Sequence, residues 1–261
     1  MRLRVEANLD YHFPQAADVL LALEVAQMPD QQLVADKLLV GTATPLTPVA
    51  GHQGIGRRIW TRGEGRFTVR YEATVDVMRE VTDLSGVRAV PLSDLPGRVI
   101  HYLWPSRYCL PDRLKDFAAD KFAALEGGAR IAAMADWTKA NLSYVHGCSN
   151  EQTNALDTFE QKQGICRDFA HVLISFARSL DIPARMVSAY AWNLDPPDFH
   201  AVVEVYLDGG WYLVDPTGLA PIEGMVRIAV GRDATDISFM TIFGTANLNS
   251  QSVTVERIGQ A

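Results

Sequence analysis

The sequence predicts an α+β fold, and three observations carry that reading. Alternating apolar and polar residues dominate the first third, helical spacing sets in after residue 111, and alternating runs return after residue 184. Helices therefore precede strands in the second part instead of interleaving with them as in a βαβ chain. The 261 residues suit one large domain or two modest ones. They can bury a core without disulfide staples.

In the N-terminal region, Leu3, Val5 and Ala7 alternate with Arg2, Arg4 and Glu6, a half-buried strand pattern. Residues 58–61 and 67–71 flank Gly63-Glu64-Gly65, which predicts a hairpin with a short glycine loop. Alternation resumes at residues 73–81, and Pro29, Gly41, Pro45, Pro48, Gly51 and Gly56 punctuate the region. Several strands with turns between them predict an N-terminal antiparallel β-sandwich over residues 1–86. The core is then residues 87–261, opening with a Pro- and Gly-rich transition at 87–111 that has too many breakers for a long element. Leu114, Phe117, Phe122 and Leu125, then Ile131, Met134 and Trp137, recur at helical spacing. A third helix is expected over 165–180, with strands over 185–192 and 200–215.

The formal net charge is −7, and no Lys/Arg run occurs, which argues against a nucleic-acid or anionic-membrane partner. Three cysteines, Cys109, Cys148 and Cys166, cannot make a disulfide framework, so a reducing, cytoplasmic setting is expected. No signal-peptide pattern or bilayer-spanning stretch is read.

Cys166 lies in Gly164-Ile165-Cys166-Arg167-Asp168-Phe169-Ala170-His171, just before an apolar helical run. A cysteine in the first turn of a helix faces unpaired N–H groups and the positive dipole end, which favour thiolate. The plainer reading is a free cysteine packed as a small apolar residue. His200 opens the run His200-Ala201-Val202-Val203-Glu204-Val205-Tyr206-Leu207 after a Pro-rich loop. Asp215 ends the apolar strand Trp211-Tyr212-Leu213-Val214, where a carboxylate needs a partner. Asp208-Gly209 is a type I′ turn signal. With that turn, Leu207 pairs with Gly210, Asp215 falls opposite Val202, and His200 and Asp215 become diagonal neighbours on one face. A Gly209-Gly210 turn shifts the pairing by two. The expected device is Cys166 as nucleophile, His200 as base and Asp215 as orienter.

These segments resemble the Cys, His and Asp blocks of the transglutaminase-like superfamily. The blocks are the cysteine octapeptide with Asp181-Ile182-Pro183-Ala184-Arg185 downstream, Phe199-His200-Ala201-Val202-Val203-Glu204-Val205-Tyr206, and Trp211-Tyr212-Leu213-Val214-Asp215-Pro216-Thr217. The resemblance spans roughly residues 110–245, and the β region before it resembles the β domain of bacterial members. It implies a papain-like core with a helix-borne cysteine packed on an antiparallel sheet. It implies thiol acyl transfer through a thioester on a peptide or protein substrate; separately, no cofactor and no metal are expected. Water as acceptor makes a peptidase or amidase; an amine makes a transglutaminase. Val202 departs from the tryptophan that members often carry there. Arylamine N-acetyl transfer and a non-catalytic peptide-binding module on the same fold are the rival readings.

The remaining candidates read more plainly. Arg167 and Asp168 are expected to support the helix start. His171, five residues after Cys166, is off its helical face and assigned to packing. Tyr144 is a candidate oxyanion donor, and the Cys166 N–H is another. Tyr190 and Trp192 are weighed as cleft lining or core. His146 and Cys148 lack zinc-ligand spacing.

Overall fold

The alternation that opens the chain runs far beyond its first ten residues. In the computed structural model, which describes residues 1–259, strand β1 spans Arg2–Leu21. It is followed by β2 (Gln31–Val40), β3 (Thr47–Ala50) and β4 (Arg57–Val77). Leu3, Val5, Ala7, Leu9 and Phe13 of β1 are buried together with Phe67, Val69, Tyr71 and Val75 of β4. This is the period-two pattern of a strand with one face in a core.

The glycine segment is not a hairpin loop. Gly63 and Gly65 lie inside β4, paired with Ala17 and Phe13 of β1, where the register shifts through a bulge in β1. The Phe13 ring sits against Gly63, where a Cβ would come within 2.8 Å of ring atoms. Gly65 takes a positive φ of 58°. The glycines therefore let two long strands bend together, a use that only the tertiary pairing reveals.

The second region begins with the short helix α1 (Gly97–Ile100), then α2 (Pro111–Phe122) and α3 (Gly127–Asn141). Next come β5 (Ser143–Tyr144), α4 (Ala155–Gln161), β6 (Gln163–Gly164) and the central helix α5 (Cys166–Ser179). Strands β7 (Ala184–Ala191), β8 (Phe199–Leu207), β9 (Gly210–Val214) and β10 (Met225–Gly231) follow. The described chain ends with α6 (Ala234–Ile237), β11 (Met240–Phe243) and β12 (Asn247–Ile258).

One antiparallel sheet runs β10-β7-β8-β9. Helix α5 packs on it through Ala184, Met186, Val203, Val205 and Leu207. Every residue of α5 except Arg167 is buried, and the buried polar ones find partners: Arg178 donates to the carbonyls of Trp104, Ala184 and Arg232. Phe176 meets Phe117, Phe122, Trp137 and Phe159 from α2, α3 and α4. Burying one such ring is worth about 1.5–3 kcal/mol.

The β-sandwich expected ahead of the core takes the form of one continuous six-stranded antiparallel sheet, with β1 and β4 at its centre. β11 and β12 extend one edge by pairing with β1, and β2 and β3 extend the other by pairing with β4. The last two strands thus return to the N-terminal sheet, although the sequence division groups them with the core. The apolar face of this sheet closes on Tyr190, Val226 and Ile228 from β7 and β10. Buried Gln31 ties the two sheets by donating to the carbonyls of Ala26 and Arg227. Among the described residues no helix is long and apolar enough to cross a membrane.

Candidate active site

The start of α5 is built from three local devices. Gly164 of β6 allows close approach: a Cβ there would stand 2.7 Å from the Asp168 Cβ. The Asp168 carboxylate accepts from the Ile165 N–H at 2.9 Å, the acidic half of a capping box. Arg167 bonds Asp168 and donates to the Asn150 carbonyl at 2.9 Å, fastening the preceding loop to the helix. Both residues therefore support the helix start, as expected. Cys166 is left at the first helical position, 8% exposed, with its backbone N–H free of any intrahelical partner.

The β8–β9 hairpin has the register that Asp208-Gly209 predicts. Leu207 pairs with Gly210 and Val203 with Val214. Asp208 and Gly209 take φ values of 43° and 81°, both in the left-handed region that a type I′ turn requires. One residue beyond the ladder, Asp215 meets His200, with Nε2 to Oδ2 at 3.0 Å. A carboxylate only accepts, so Nε2–H donates and Nδ1 is the free nitrogen of the neutral ring. The second Asp215 oxygen accepts from the Thr217 N–H at 2.9 Å and the Thr217 hydroxyl at 2.7 Å.

Burial works against a charge on His200, but the Asp215 carboxylate and the Cys166 sulfur beside the ring outweigh it and raise its pKa to about 10. For Asp215, burial favours the neutral acid. The hydrogen bonds from His200 and Thr217 prevail and hold the carboxyl below its ordinary range. His200 Nδ1 is buried and has no hydrogen-bond partner among the described residues.

Tyr144 arrives beside Cys166 because β5 pairs in parallel with β6, Tyr144 opposite Gly164. Burial and the charge of the Cys166 sulfur both push its hydroxyl pKa upward, so it remains a proton donor.

Cys166 and His200 line a cleft of about 730 Å³. One wall is the segment from Ala234 to Ala246, which carries α6 and β11. Sequence reasoning does not place this wall: β11 reaches the site through pairing with β1, more than 200 residues away, and has no local signature. Tyr190 lies outside the cleft. It is fully buried between the sheets and its hydroxyl donates to the Leu23 carbonyl at 2.8 Å. Trp192 likewise packs against the apolar face of the long sheet. His171 is fully buried, stacked on Tyr108 at 5.0 Å, and accepts from the Ala234 N–H at 3.3 Å. Burial lowers its pKa to about 4. Cys109 is fully buried, and burial pushes its thiol up to about 12. Cys148 donates to the Val145 carbonyl at 3.0 Å in the loop that Arg167 holds.

Known proteins share the pattern and the fold of this chain. The sequence pattern of the transglutaminase-like superfamily matches residues 116–216, which include Cys166, His200 and Asp215. A crystal structure of a candidate cysteine protease from Cytophaga hutchinsonii is 33% identical, covers all of this chain and 92% of its own, and superposes with a TM-score of 0.92. The chain belongs to the transglutaminase-like superfamily. An uncharacterized protein of Mycobacterium leprae is 34% identical over 120 residues, which is 41% of this chain and 42% of that protein's length. This chain thus matches under half of the curated relative. The periplasmic domain of TgpA from Pseudomonas aeruginosa is 18% identical, covering 82% of this chain and 76% of its own, with a TM-score of 0.44. As a superfamily member, the protein carries its antiparallel core and its N-terminal β region in one chain.

Proposed function

We propose that the protein is a cysteine hydrolase of peptide or amide bonds. Cys166 is the nucleophile, His200 the general base and acid, and Asp215 the group that orients the imidazole. The observation that carries this is the buried His200–Asp215 hydrogen bond, whose ring keeps its other nitrogen unpartnered beside the thiol at a helix start.

With its pKa raised to about 10, His200 holds the proton from Cys166 on Nδ1 at neutral pH, and the thiolate attacks the carbonyl carbon. The oxyanion that forms is held by the Cys166 N–H, with Tyr144 as the second donor. The C–N bond breaks, the His200 imidazolium protonates the leaving amine, and a thioester remains. Water, deprotonated by His200, then attacks the thioester, and the acid leaves with Cys166 restored. An amine in place of water gives transglutaminase chemistry from the same acyl-enzyme. The three cysteines, all free, suit a cytoplasmic setting.

The test is trapping the acyl-enzyme. Protein treated with 4-nitrophenyl acetate and quenched in acid should carry one acetyl group on Cys166 by mass spectrometry. The adduct should be absent in Cys166→Ala. Acetylation confined to lysines, or equal in the variant, would refute the reading.

A further inference from the structure

The cleft wall opposite the catalytic residues is a strand edge, and its backbone is available. Among the described residues β11 pairs with β1 alone, which leaves it one free edge. The Ala22 N–H donates to the Phe239 carbonyl at 2.9 Å, which fixes the alternation of this ladder. Counting along it, Thr241 opposite Leu20 and Phe243 opposite Asp18 bond to β1. Met240 and Ile242 therefore direct their N–H and C=O groups away from β1. The Met240 carbonyl accepts from the Ser238 hydroxyl at 2.8 Å, consistent with that direction. Among the described residues, the N–H and C=O of Ile242 have no protein partner.

Met240, Thr241 and Ile242 line the same cleft as Cys166 and His200. The placement is fixed by stacking: Phe239, next to β11, lies on Phe199, next to His200, with ring centroids 4.3 Å apart and planes 8° apart. An edge strand with open backbone groups is a template for another extended chain.

We propose that β11 is the docking strand for the substrate, an extended, unfolded polypeptide segment that adds to the long sheet at Met240–Phe243 and presents its carbonyl to Cys166. This rests on the hydrolase reading above and narrows the substrate class: main-chain pairing selects for extended segments, and a folded domain has no strand to offer.

Proline at 242 would remove the outward N–H without touching the β1 ladder, because proline is tolerated on the open side of an edge strand. Ile242→Val keeps the N–H. The experiment measures kcat/KM for fluorescein-labelled unfolded casein and for 4-nitrophenyl acetate, an ester too small to reach the edge. We expect the casein-to-ester ratio to be at least tenfold lower in Ile242→Pro than in Ile242→Val. An equal ratio in the two variants overturns the proposal. Turnover of the ester but not of casein by the wild type overturns it as well, and leaves the thiol chemistry standing. Turnover of neither refutes the hydrolase reading and the docking strand together. A second measurement does not depend on the proline variant folding. Hydrogen exchange in Cys166→Ala protein saturated with unfolded casein should slow at residues 240–244. Unchanged exchange there would contradict pairing at β11.

Discussion

Strand β8 carries two buried acid–base groups on one face, four residues apart, and they have opposite characters. Glu204 is sealed. Arg185 Nε donates to one of its oxygens at 2.7 Å and Arg227 Nη1 to the other at 2.6 Å, and all three side chains are buried. Arg227 continues to Asp30, which also pairs with Arg79 at 2.7 Å, so the cluster ties the core sheet to the N-terminal region. His200 is paired on one side only. Asp215 holds Nε2, while Nδ1 has no partner and the residue opens on the cleft. A group whose hydrogen-bonding capacity is filled holds the fold, and one left incomplete beside a cavity and a thiol can move a proton.

The sharpest way to break that comparison is to exchange the expected outcomes. His200→Ala should lower turnover by about 10²–10⁴-fold, the range for loss of a general base. Glu204→Ala should leave the buried Arg185 without a carboxylate partner and Arg227 with Asp30 alone, and destabilise the fold by about 3–5 kcal/mol, read as a lower denaturant midpoint. Protein that remains folded should still acetylate Cys166. If Glu204→Ala were as stable as the wild type, or His200→Ala as active, the two sites would not differ in kind.

Tyr144→Phe sharpens the active half. Losing one oxyanion donor should reduce kcat by about 10²–10³-fold with little change in KM. A KM effect with kcat intact would assign Tyr144 to substrate binding instead.

A smaller effect concerns pH. The His171 pKa falls from an ordinary 6.5 to about 4 in the folded protein. Between those values the unfolded chain binds a proton that the native chain does not, so stability rises with pH across that window and is lost as pH falls through it. His200, raised to about 10, has the opposite sign: its contribution is full below about 6.5 and disappears as pH rises through 10. Melting temperatures from pH 4 to 7 should therefore climb in the wild type and climb less in His171→Phe. Equal slopes would refute the assignment.

How much of this was legible depended on sequence separation. The β8–β9 hairpin was readable because its register is set by Asp208 and Gly209, two residues whose backbone preference is local. Helix α5 was readable from an apolar run behind Gly164. Gly63 and Gly65 suggested a loop, since a window of ten residues does not contain Phe13 or the bulge in β1 that uses them. Helix α4 was missed because seven residues give too few turns to establish a period. β12 pairs Arg2 with Ile258, a contact across nearly the whole chain that no local pattern announces. The same limit hid the cleft wall: Cys166, His200 and Asp215 stand in recognisable blocks, whereas β11 is four ordinary strand residues placed by β1.

The central claim is that His200 activates Cys166. It is tested most directly by iodoacetamide labelling of Cys166 against pH, wild type beside His200→Ala, with the site followed by mass spectrometry. Rapid labelling of the wild type at pH 6–7 is expected, with at least a tenfold slower rate in His200→Ala. Labelling that rises only near the ordinary thiol range of about pH 8.5, at the same rate in both proteins, would contradict it.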